Sequence, residues 1–227
     1  MDTLSSFFLD ERINLIPQIF WWLMFGAAEV LLFFLQREQI SKTIKTVLKL
    51  FAAKALLFHI LWAAFLSYGQ YHVWTRSEMG KALLSFPLPK EASAPVYETL
   101  FPFLFTWQKG YYAHYIFGRF WIEALLSAFA AVVFYGLLLF LKKYRERFFR
   151  EGEVLLGFLC ALIVGWPMTV VFIGVSCAFA VIFSVARYVF KRETYTALGM
   201  PFVFATAACL LFAQLILKLT SLSVLAM

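Results

Sequence analysis

The chain reads as long apolar blocks parted by short stretches in which lysine and arginine gather. Residues 19–35, 46–68 and 119–140 each form one such block, close to the ~20 apolar residues that a helix needs to cross a bilayer. A fourth block, 154–189, is too long for one crossing and is divided by Gly165, Trp166 and Pro167. Glycine and proline so close together favour a tight turn, so the block predicts two antiparallel helices, 154–166 and 168–189. A last helix opens at Met200 and Pro201 and continues to about residue 217. The pattern predicts an all-α, polytopic integral membrane protein with about six transmembrane helices.

Between the second and third blocks the texture changes. Residues 69–118 hold Pro87, Pro89, Pro95 and Pro102, mixed charges, and many aromatics, among them Trp74, Trp107, Tyr111, Tyr112 and Tyr115. No clean spanning run fits there, so an aromatic-rich loop lying against the membrane interface is expected. The chain thus divides into an N-terminal segment with two membrane helices (1–68), the interfacial loop region (69–118), and a four-helix membrane domain (119–227).

Charge sets the orientation. Lys142, Lys143, Arg145, Arg147 and Arg150 crowd the link after the third block, and Arg37, Lys42, Lys45 and Lys49 form a second cluster. Basic clusters beside helix ends stay on the cytoplasmic side, which puts both clusters inside and leaves residues 69–118 and both termini outside. Composition agrees, with 63% hydrophobic residues and only 15% charged ones, where soluble domains carry about 25%. The net charge of +7 lies at the ends of apolar runs, where it meets anionic lipid; it forms no stripe for nucleic acid. Cys160, Cys177 and Cys209 fall inside apolar runs without ligand spacing, so buried free thiols are expected, with no metal and no cofactor. The residues ahead of the first block lack the positive start of a cleavable signal, so they are expected to be retained.

Few polar groups interrupt the blocks. Glu29 should face a partner helix, a pore or a basic group; Lys54 is near enough to the basic cluster to snorkel; His59 is expected to be a hydrogen-bonded structural residue. Glu151, Gly152 and Glu153 follow the basic link at the mouth of the fourth helix. An acid there caps a helix N-terminus, where exposed N–H groups and the dipole favour it, or carries chemistry.

Three stretches resemble the prepilin peptidases, membrane aspartic proteases that remove the leader from type IV pilins and related secretion subunits. They are Glu151-Gly152-Glu153-Val154 at the start of a helix after a basic loop, Gly165-Trp166-Pro167 at its far turn, and Met200-Pro201-Phe202-Val203-Phe204 opening the last helix. Order and spacing agree over residues 125–217. The resemblance implies that Glu153 stands where the family has a catalytic aspartate, one methylene longer, with Leu155 where a lysine is usual. Asp10, ahead of Ile16-Pro17-Gln18 and the first helix, resembles the position of the other catalytic aspartate.

The implied reaction is metal-free, water-mediated peptide hydrolysis by two carboxylates, one ionised and one protonated. The implied partner is a pilin-like, leader-bearing membrane substrate, and the implied location is a bacterial inner membrane. Charge bias puts Asp10 outside and Glu153 inside, so this pairing requires a further crossing within 69–118 or a re-entrant first helix. A non-enzymatic component of a pilus, secretion or conjugation apparatus is the alternative on the same helices, followed by a transporter subunit.

Overall fold

The computed structural model describes residues 11–36, 41–86, 110–144, 149, 152–192 and 198–219. Among them every regular element is helical. A short 3-10 turn, Glu11–Asn14, leads into α1 (Leu15–Gln36), and Pro17 sits in the first turn of α1, where its missing N–H costs nothing. There follow α2 (Ser41–Arg76), α3 (Glu78–Ser85), α4 (Gly110–Tyr144, with a π turn at Phe117–Trp121), α5 (Glu153–Val164), α6 (Met168–Lys191) and α7 (Gly199–Leu219).

Four spans have the length and apolar composition to cross a membrane: Leu15–Phe34, Thr43–Arg76, Gly110–Tyr144 and Met168–Phe190. The protein is therefore an all-helical membrane protein, and four of the six helices expected from the apolar blocks have that reach among the described residues. The difference lies in α5 and α7. With 12 residues α5 reaches about 18 Å, well short of a ~30 Å hydrocarbon layer, and the apolar part of α7 is Gly199–Ala213.

The chain divides into two compact units, one built on residues 60–123 and the other on residues 17–59 and 124–226. In the first unit the expected loop is partly helix: α2 runs on to Arg76, α3 follows at once, and α4 begins at Gly110. Ser67, Tyr71 and Trp74 recur at helical spacing and therefore share a face. The Tyr112 hydroxyl donates to the Ser67 carbonyl (2.6 Å), and the Trp121 indole N–H donates to the Ser67 hydroxyl (3.1 Å). Trp74 packs against Tyr111, Tyr112 and Tyr115 at 5.1–6.3 Å. Aromatic rings with polar tips let these helices continue where an unbroken apolar run stops. Ser77 caps α3 by accepting the Gly80 N–H (2.9 Å). The central part of that loop region, residues 87–109, lies outside the described residues.

In the second unit α5 is the core. Nine of its twelve residues are buried, as expected of a helix that is apolar all round. Gly157 lets α4 and α7 close on it: a Cβ there would stand 2.6 Å from Leu138 Cδ1 and 3.0 Å from Phe202 Cε2. Phe134, Phe172 and Phe202 meet beside it with centroids 5.5–6.5 Å apart.

The hairpin expected at Gly165-Trp166-Pro167 is present, and polar groups of α2, α4 and α6 hold it. Gly165 ends α5 at φ 68°, ψ 175°. The Trp166 N–H donates to Ser127 Oγ (2.8 Å), and Thr169 Oγ1 donates to the Gly165 carbonyl (2.8 Å). His59 Nε2 lies 3.1 Å from the Leu162 carbonyl. A carbonyl only accepts, so Nε2 carries the proton and satisfies one of the free carbonyls in the last turn of α5. Gly165→Ala should cost about 1–3 kcal/mol in the detergent-solubilised protein, because this φ/ψ region is closed to residues with a Cβ. A denaturant titration followed by tryptophan fluorescence measures it.

Candidate functional site

Glu153 begins α5, after Gly152 in the left-handed conformation (φ 93°) that turns the chain into the helix. Its side chain is only 2% exposed. An ionised carboxylate buried so deeply requires strong donors, and two are in place. Oε2 accepts the Leu198 N–H (3.2 Å) and Oε1 accepts the Gly199 N–H (3.2 Å).

These donors belong to the start of α7. The Leu198 carbonyl accepts the Phe202 N–H (3.2 Å), so Leu198 is the capping residue and Gly199 the first residue of the helix. Their N–H groups have no partner within α7, and the helix dipole adds positive potential there. Glu153 therefore lies in the first turn of its own helix, as expected of a capping acid, and also caps a second helix 45 residues away in sequence.

Gly199 allows the approach. A Cβ there would lie 3.1 Å from Glu153 Oε1 and 2.5 Å from Leu32 Cδ1, so α1 closes the niche on a third side. Pro201 occupies the first turn of α7 without forfeiting a hydrogen bond, and Phe202 packs beneath, over Gly157. Two of the three family-like stretches, at Glu153 and at Met200-Pro201-Phe202, thus meet around one buried carboxylate. The third forms the hairpin at the far end of α5.

The other expected polar positions fall elsewhere. Asp10 and Glu151 lie outside the described residues, as do Arg145 and Arg147. Glu29 is exposed on α1, and Lys54 is exposed on α2 with its ammonium 5.6 Å from the Phe51 ring centre. His59 is engaged at the hairpin. Cys160 and Cys209 are buried free thiols, while Cys177 is exposed on α6. The sequence reading passed over Leu198, Gly199 and Ser127. Gly199 carried a signal in standing directly before Met200-Pro201; Ser127, a lone hydroxyl in an apolar run, carried none.

No family model, no curated protein and no solved structure matches this chain.

Proposed function

We propose that the chain is a membrane aspartic endopeptidase of prepilin-peptidase type, cutting the leader of pilin-like subunits at the cytoplasmic face of a bacterial inner membrane. The observation that carries this reading is the buried Glu153 carboxylate seated against the start of α7, where two family-like stretches converge. Buried acids in membrane helices are costly and are kept for pairing, pathways or chemistry.

In this reading Glu153 supplies one carboxylate and Asp10, on its local pattern, the other. The ionised member takes a proton from water as the water oxygen bonds to the scissile carbonyl carbon. The protonated member donates to the carbonyl oxygen, and collapse breaks the C–N bond with proton return to the leaving amine. The substrate would be a basic leader joined to an apolar helix, entering sideways from the bilayer. Six membrane helices, with α5 and α7 completing the bundle, belong to the same proposal, and α1 is re-entrant in it, so that Asp10 shares the cytoplasmic face with Glu153. Single cysteines at Thr43 and Tyr144 should resist an impermeant thiol reagent applied from outside, while one at Met79 reacts.

The test of activity is co-expression of the full chain with pilin-like precursors and detection of the shortened product by its mobility and new N-terminus. Cleavage by the parent chain is expected. Absence of cleavage of every precursor, with the chain correctly inserted, would sink the protease reading. A second reading has its own observation: both Glu153 oxygens accept backbone N–H groups, which suits a purely structural clamp in a non-enzymatic component of a pilus, secretion or conjugation apparatus.

A further inference from the structure

Glu29 lies inside the Leu15–Phe34 span, five residues from its end, or about 7–8 Å along the helix axis. Its side chain is exposed and has no hydrogen-bond or ion-pair partner among the described residues. Lys49 stands in the same condition on α2, six residues into the Thr43–Arg76 span, about 9 Å along its axis. A lysine there can reach water by snorkelling, but a glutamate is too short to do so, and a charge inside an apolar span calls for a partner.

The packing of α1 on α2 explains why these two do not pair within one chain. Phe20 stacks on Phe58 (3.7 Å between centroids, 9° between planes), and Trp21 lies 4.7 Å from His59. With the link between the helices at residues 37–40, these contacts make α1 and α2 antiparallel neighbours. Glu29 is nine residues from Phe20 and Lys49 nine from Phe58, both towards the link, so the two charges lie at one level. Nine residues at about 100° each amount to two turns and a half, so each charge points away from the neighbouring helix.

Equal depth and opposite flanks make the two surfaces complementary between copies. We propose that a second copy of this chain docks side by side in the same orientation, its Lys49 flank against the Glu29 flank of the first. Small residues stand near each charge: a Cβ at Gly26 would meet nothing within 4 Å, and Ala53 is exposed on α2. Gly26 and Ala53 also lie at one level, and small residues let membrane helices approach closely. The contact is head-to-tail, so it closes into a ring or extends as a file. It does not depend on proteolysis.

Disulfide trapping in membranes tests it, with a full-length chain whose cysteines are replaced by alanine. One tagged copy carries Gly26→Cys and a differently tagged copy carries Ala53→Cys, with Glu29 and Lys49 intact. A disulfide between the two tags is expected. Glu29→Lys in the first copy should lower its yield about fivefold, as should Lys49→Glu in the second, and combining the two should restore it. The reciprocal single change keeps the test informative where one reversal impairs insertion. Absence of the mixed disulfide, a yield indifferent to both reversals, or a dominant bond between two Gly26→Cys copies would overturn the proposal.

Discussion

Glu153→Ala is expected to lower the unfolding free energy of the detergent-solubilised chain by about 3–5 kcal/mol, far more than loss of an exposed cap. The substitution leaves the largely buried Leu198 and Gly199 N–H groups without their acceptor, beside Leu32. Glu153→Gln should cost about 2 kcal/mol, since one oxygen still accepts while the amide NH2 is set against a backbone N–H. Glu153→Asp keeps both acceptors but draws them back by one methylene, and about 1–2 kcal/mol is expected from the lengthened bonds. Titration with a denaturing detergent, followed by tryptophan fluorescence, ranks the three. A cost near 1 kcal/mol for the alanine variant would mean that the carboxylate does not hold α7 in place.

Gly157→Leu should be nearly as damaging by a different route. The Cβ alone would press on Leu138 Cδ1 and on the Phe202 ring, which cannot fold out of the way as a flexible chain end can. Overpacking of this kind costs about 3 kcal/mol and forces the helices apart. Separation of α5 from α7 would also pull Glu153 away from Gly199. Gly157→Leu together with Phe202→Ala, which makes room for the new side chain, should recover part of the loss in the same titration. No recovery would place the strain elsewhere.

Much of the helical plan was legible in the sequence because apolar blocks and turn residues report local preference directly. Gly165 and Pro167 marked the hairpin, and the blocks around residues 19–35 and 168–189 lie within α1 and α6 nearly as read. The extension of α2 to Arg76 was not legible. It depends on Ser67, Tyr71 and Trp74 meeting Tyr112, Tyr115 and Trp121, contacts that bring residues some 45 positions apart together. A run with mixed polar and aromatic residues looks like a loop until its partner is known.

The short reach of α5 was hidden for a related reason. Apolarity alone does not distinguish a helix facing lipid from one buried among its neighbours, and α5 is the latter. At the candidate site the acid was legible and its partners were not. Glu153 stood out as a charge at the mouth of an apolar run, whereas backbone N–H groups are present at every residue except proline. Only the approach allowed by Gly199 selects those at positions 198 and 199.

The most direct test of Glu153 as a working carboxylate compares cleavage of a co-expressed pilin-like precursor by the parent, Glu153→Asp and Glu153→Gln at equal amounts of inserted protein. The aspartate form should retain cleavage, because it keeps an ionisable group within reach of the same niche. The glutamine form should lose it altogether, although its loss of stability is similar. Equal cleavage by the glutamine form and the parent would contradict a chemical role for Glu153 and leave it as the clamp between α5 and α7.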